Sequence, residues 1–223
     1  MNIQEYDILN AIFTTTNPTQ RSLADCSGHS LGIVNRSIKK LTSDGYLTSS
    51  MQPTDKAIAL YKHSVPQNAI ILAAGFGMRM VPINTETPKG LLEIHGEALI
   101  ERIIRQLHEA NIHNIYIVVG FMKEQYEYLI DEYDVTLIVN ADYASKNNLH
   151  SLNLASEYLK NSYIIPCDIW CKDNPFHTHE LYSWYMVSDA QTTESSVRVN
   201  RKMELTAISK TAVGNAMIGI SYL

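Results

Sequence analysis

The sequence predicts a mixed, mainly parallel α/β sheet preceded by a small, mostly helical domain. Two observations carry this. From residue 68 onward, short apolar runs alternate with amphipathic segments, the grammar of strands joined by crossover helices. Before residue 63, helical periodicity and capping residues dominate. The boundaries read as 1–62 for the first domain, 63–67 (His-Ser-Val-Pro-Gln) for a linker, and 68–223 for the second domain.

In the first domain, Ile3, Tyr6, Ile8, Leu9 and Ile12 share one helix face. Asn17-Pro18 breaks that helix, and Thr19 caps a second over Gln20–Cys26. Ser30 caps a third helix, with Val34, Ile38 and Leu41 facing inward. Strands are expected at Tyr46-Leu47-Thr48 and Ala57–Leu60, around the Pro53-Thr54-Asp55 turn. Three helices and a two-stranded wing form a winged helix-turn-helix pattern. Thr19–Ala24 and Ser30–Arg36 resemble regulators of the MarR type over about 55 residues. That resemblance implies a DNA partner, met by Ser30, Asn35, Arg36 and Lys39. Charge gives it thin support. Six basic and five acidic residues leave +1 on 1–62, and the chain total of −5 leaves −6 on the rest.

The second domain is expected to run through strands Asn68–Leu72, Ile115–Val119, Val135–Val139 and Tyr163–Pro166. Helices at Leu99–Ala110, Lys123–Glu132 and His150–Lys160 connect them. Tyr182–Tyr185 reads as a buried helix face, and Ser195–Asn200, Leu205–Ser209 and Met217–Leu223 alternate like strands. Sheets of this kind bind nucleotides at the carboxyl ends of their strands.

The most informative stretch is Ile70-Ile71-Leu72-Ala73-Ala74-Gly75-Phe76-Gly77-Met78-Arg79, followed by Pro88-Lys89-Gly90-Leu91. Small residues after a buried strand let the backbone approach a ligand closely, and successive N–H groups form an anion-binding nest. Arg79 can fork onto phosphate oxygens, and Lys89 adds a compact positive charge. The loop lacks the third glycine of a dinucleotide fingerprint and the Gly-Lys-Ser/Thr of a P-loop.

The whole string resembles the signature of sugar-phosphate and alcohol-phosphate nucleotidyltransferases, which implies a Rossmann-like sheet. The resemblance implies that Leu72, Ala73, Ala74, Gly75, Gly77, Met78, Arg79 and Lys89 hold the nucleoside triphosphate, with Arg79 and Lys89 acting in catalysis. Ile112–Gln125, Asn140–Tyr143, Asn147–Leu152 and Asn161–Asp168 are similar to phosphocholine cytidylyltransferases of the LicC type. That implies CTP and phosphocholine as substrates, Gly120 and Lys123 near the base or ribose, and Asn148 and Ser151 along the cleft. It also implies Mg²⁺ on Asp168, with Pro166 standing where such enzymes carry a first aspartate. Asp173, Asp189 and Glu194 are candidates for a second carboxylate, with no feature to choose between them. Tyr143, Trp170, Tyr182, Trp184 and Tyr185 are candidates for a quaternary-ammonium cage. The resemblance further suggests a catalytic domain that continues past residue 223. Two other readings stand beside it: a DNA-binding regulator that senses a nucleotide, and a sugar-1-phosphate nucleotidyltransferase.

Composition bounds the rest. Eighteen Lys+Arg against twenty-three Asp+Glu exclude a uniformly basic nucleic-acid binder. Three cysteines, Cys26, Cys167 and Cys171, cannot build a disulfide framework. The polar start Met1-Asn2-Ile3-Gln4-Glu5 does not resemble a secretory signal, and no apolar run is long enough to span a bilayer. A cytoplasmic protein with reduced thiols is expected.

Overall fold

A computed structural model of the chain describes residues 1–77, 86–194, 196–200, 204–209 and 211–223. It divides into two compact units, Met1–Val65 with His179–Tyr182, and Pro66–Thr178 with Ser183–Leu223.

The first unit opens with α1 (Ile3–Thr14). Asn2 accepts from the Glu5 N–H while the Glu5 carboxylate accepts from the Asn2 N–H, a reciprocal capping box. Thr19 caps α2 (Gln20–Ser27), which Gly28 ends at φ +69°, and Ser30 caps α3 (Leu31–Ser43). Ile8, Leu9, Leu23, Val34 and Leu41 are fully buried among the three helices. The expected wing is corrected in its second half. A single bridge joins Leu47 to Pro53, and Ala57–Leu60 lies in α4 (Asp55–His63) instead of a strand. The Thr54 side chain caps α4 by accepting from Ala57 N–H, and Asp55 suits its positive end.

Residues 179–182, expected in the second domain, belong to this unit. The Tyr61 ring lies between those of Phe13 and His179, with centroid separations of 4.0 and 3.9 Å. The Tyr182 hydroxyl donates to Asp7 Oδ1 at 3.0 Å, and Asp7 Oδ2 meets His29 Nε2 at 2.8 Å.

The second unit is a mixed sheet. Its strands are β1 (Asn68–Ala73), β4 (Ile115–Val119), β5 (Thr136–Val139), β6 (Ser162–Pro166), β7 (Trp184–Thr192), β8 (Ser196–Val199), β9 (Leu205–Ser209) and β10 (Gly214–Tyr222). Two short strands, β2 (Glu93–Ile94) and β3 (Glu97–Ala98), pair separately as a hairpin. Order across the main sheet is β5-β4-β1-β6-β10-β8-β9, with β7 also on β10. The first four are parallel, and β10, β7, β8 and β9 join antiparallel.

Alternate residues of β1 face opposite ways. Ala69, Ile71 and Ala73 pack beneath α5 (Leu99–Glu109) with Ile100, Ile104, Leu107, Ile117 and Ile165. Ile70 packs on the other face with Val118 and Ala155. Both faces are therefore covered, as parallel sheets require.

Three expected elements differ. Lys123–Glu132 is a 3₁₀ turn (Lys123–Tyr126) followed by α6 (Tyr128–Tyr133), and Met122 before it has φ +50°. His150–Lys160 is α7 (Asn148–Leu154) followed by a 3₁₀ turn at Ser156–Tyr158. Tyr182–Tyr185 is not helical, because Trp184 opens β7 by pairing with Tyr222. Among the described residues, no helix is long and apolar enough to cross a membrane.

Ile104 is fully buried between α5 and the sheet. Ile104→Ala is expected to cost about 2–5 kcal/mol of stability, read from the midpoint of urea unfolding.

Candidate active site

The site begins where β1 ends. Ala73 and Ala74 are buried, and the chain then emerges at Gly75. Among the described residues, a Cβ on Gly75 would meet no atom within 4 Å. Gly77 sits at φ +72°, a conformation that glycine adopts without strain. Met78 and Arg79 lie outside the described residues.

The neighbouring strands tether this loop. Phe121 N–H donates to Ala74 O at 3.1 Å, and Cys167 N–H donates to Leu72 O at 3.3 Å. Gly120 is required by close approach, since a Cβ there would fall 2.6 Å from Tyr143 Cβ and 2.8 Å from Ala74 O. The Phe76 ring meets Phe121 edge-on at 4.5 Å.

Lys89 begins a 3₁₀ turn after buried Pro88, and its Nζ donates to Asp168 Oδ2 at 2.8 Å. The two side chains are 19% and 34% exposed, so the pair is partly shielded yet reachable. Gly90 lets this turn settle on buried groups, because a Cβ there would lie 3.1 Å from the Tyr126 hydroxyl and 3.2 Å from Cys167 Cβ. Burial pushes the Tyr126 hydroxyl far above its usual range. Burial, with Asp168 beside it, pushes the Cys167 thiol up to about 12. The floor under the ion pair is thus uncharged at neutral pH, which strengthens electrostatic contacts above it.

Other expected site residues are placed less directly. Asn148 is exposed at the start of α7, where the Asn147 side chain caps the helix by accepting from Leu149 and His150 N–H. Ser151 is buried, and its Oγ accepts from Asn140 Nδ2 at 3.0 Å. Lys123 pairs with Glu124 at 3.0 Å. It lines a groove of about 340 Å³ with Val119, Glu127, Ile130, Leu137 and Val139, and Gly75–Gly77 do not line that groove.

The aromatic candidates separate. The Arg102 guanidinium covers Trp170, Trp184 packs edge-on to Tyr163, and Tyr182 belongs to the first unit. Asp173, Asp189 and Glu194 are exposed, and among the described residues no three His, Cys, Asp or Glu side chains gather to hold a metal. A Mg²⁺ ion needs less than that, because one or two carboxylates plus substrate phosphates suffice. Asp168, its side chain 34% exposed just past the end of β6, fits that donor set. Sequence reasoning missed Tyr126 and Arg102. The glycine after Lys89 was the available signal for the first.

A glycine loop thus follows a parallel strand at its carboxyl end, the edge at which sheets of this kind bind nucleotides, and the Lys89–Asp168 pair lies just past the neighbouring parallel strand. Residues 69–199 match the MobA-like NTP transferase domain, and the chain belongs to that family. It is 45% identical over 118 residues to a choline-phosphate cytidylyltransferase of Haemophilus influenzae, covering 53% of this chain and 51% of that one. It is 44% identical over 117 residues to one of Streptococcus pneumoniae, covering 52% and 51%. The chain thus spans about half the length of the curated relatives it matches. The solved CTP:phosphocholine cytidylyltransferase from Streptococcus pneumoniae superposes with a TM-score of 0.66 at 36% identity, over 71% of each chain. A putative glucose-1-phosphate thymidylyltransferase from Bacillus anthracis shares the fold, with a TM-score of 0.58 at 20% identity over 70% of each.

Two outcomes are expected here. Gly120→Ala forces Tyr143 or the Ala74 backbone to move, and should lower stability by about 1–3 kcal/mol in urea unfolding. Burial keeps the Cys167 thiol protonated and out of reach at pH 8. Exposed Cys26 should therefore react with iodoacetamide in the native protein while Cys167 does not, as peptide mass spectrometry would record.

Proposed function

We propose that the chain transfers a cytidylyl group from CTP to phosphocholine, forming CDP-choline and releasing pyrophosphate. One observation carries the reading. The glycine loop follows β1, and Lys89 meets Asp168 just past the neighbouring strand β6, in a chain 36% identical to a solved enzyme of that activity over 71% of its length.

The chemistry asks little covalent work of the protein. An oxygen of the acceptor phosphate attacks the α-phosphorus of CTP in line, that P–O bond forms, and the bond to pyrophosphate breaks. The nucleophile is already anionic, so no general base is required. Catalysis is then positioning and charge neutralisation. Backbone N–H groups from Ala74 to Gly77 would cradle phosphate oxygens, and Gly75 leaves them room. Lys89 would turn from Asp168 towards the phosphates and offset charge as pyrophosphate departs, joined by Arg79. Asp168 would hold Mg²⁺, which when bound neutralises phosphate oxygens and orients them. Gly120 and Phe121 would border the base. Asn148 on α7 and Lys123 beside β4 are assigned to the substrate by resemblance alone.

The first unit supports a separate reading as a winged helix-turn-helix that meets DNA, since Arg36 and Lys39 are exposed along α3. A duplex that shifts at low salt and is released at high salt would bear this out. Unchanged mobility at low salt would end it.

The enzymatic reading is tested by pyrophosphate release. CTP with phosphocholine and Mg²⁺ should turn over far faster than CTP with a sugar 1-phosphate, or than phosphocholine with ATP, GTP or UTP. CTP binding with no turnover would instead favour a nucleotide sensor. Lys89→Ala is expected to lose on the order of 10²–10³ in rate. Near wild-type release by that variant would remove Lys89 from the mechanism.

A further inference from the structure

The turn that carries Asp168 has no regular structure of its own. After β6 ends at Pro166, the chain runs through residues 167–174 without helix or strand pairing. A carboxylate on such a segment needs its backbone fixed from elsewhere. On its near side Cys167 N–H is bonded to Leu72 O of β1, and on its far side the fixing comes from α5.

Arg102 projects from α5 with its side chain 16% exposed and spends its donors on this segment. Nε donates to Cys171 O at 2.9 Å, and Nη2 donates to Lys172 O at 2.8 Å. The guanidinium lies over the Trp170 ring, 4.8 Å from its centroid. Nη1 donates to Glu97 Oε2 at 3.1 Å, so the charge is balanced on its far side. Gln106, one turn further along α5, donates to the same Cys171 carbonyl at 3.2 Å, and Asn174 returns a bond to Gln106 O at 2.7 Å. Three consecutive residues, Trp170, Cys171 and Lys172, are therefore gripped by one planar fork, beginning two residues past Asp168. A lysine could not do this, because it offers one compact ammonium and no flat face to stack.

We propose that Arg102 is a positioning residue for the metal carboxylate: it holds the segment after β6 so that Asp168 faces the glycine loop with its geometry set before a metal arrives. The proposal rests on the reading of Asp168 as a metal ligand. Its action is indirect, through two backbone carbonyls and the Trp170 ring. Groups that orient a ligand in this way commonly govern metal affinity by 10–100-fold.

The test uses the full chain, Mn²⁺ in place of Mg²⁺, and electron paramagnetic resonance to count bound metal at saturating CTP, with no turnover required. Asp168→Asn should abolish the tight Mn²⁺ site. Arg102→Ala should weaken Mn²⁺ binding about tenfold or more while leaving CTP affinity in EDTA unchanged. Arg102→Lys, which keeps the charge towards Glu97, should weaken it too, and carries the test if the alanine variant does not fold. Mn²⁺ affinity within twofold of wild type in either folded variant, with Asp168→Asn still defective, overturns the proposal alone. An equal loss of metal-free CTP affinity also overturns it, because that is general damage to the site. Undiminished Mn²⁺ binding by Asp168→Asn overturns both the ligand assignment and the proposal built on it.

Discussion

The pairing of β1 with a parallel strand on each side is the constraint from which the candidate site follows. Ile70 is opposite Tyr116 on β4 and Ile164 on β6, so all three strands run the same way. Their carboxyl ends therefore gather at one edge. There the neighbours hold the chain leaving β1 by hydrogen bonds from Phe121 and Cys167. Lys89 and Asp168, separated by 79 residues in sequence, meet at that edge. Each is partly shielded from water, where an unpaired charge is costly, so each offsets the other's charge. On the proposed reading, phosphates and a cation would take over these two partners.

The first unit follows a different logic. Its three helices are set by caps at Asn2, Thr19 and Ser30, and its core closes on Leu9, Val34 and Leu41. It is nevertheless completed by residues 179–182, which bring His179 onto Tyr61 and Tyr182 onto Asp7. Its packing is therefore not written wholly within its first 65 residues.

Much of this was legible in the sequence because burial on both faces of a parallel sheet leaves continuous apolar runs. Ile115–Val119 and the Ala74–Gly77 loop are found where those runs and the small residues after them point. The failures have physical causes. Ala57-Ile58-Ala59-Leu60 alternates like a strand, but the Thr54 cap and the Asp55 charge decide for a helix. Lys123–Glu132 has helical periodicity, yet it starts as a 3₁₀ turn, with fully buried Tyr126 under Gly90. Of the site, the glycines and Lys89 announce themselves through local chemistry. The partner of Ser151, Asn140, lies on another element, so their hydrogen bond is not legible from local sequence. Arg102 left no trace, since its targets are backbone carbonyls that any residue could supply.

The central claim is that Lys89 and Asp168 work as one charge-neutralising unit at the carboxyl edge of the sheet. A double-mutant cycle on the rate of pyrophosphate release measures this directly, with Lys89→Ala and Asp168→Ala made singly and together. If the two act as a unit, the double variant loses about as much as the worse single variant. Losses that multiply would show that the two residues act independently, and would contradict the account.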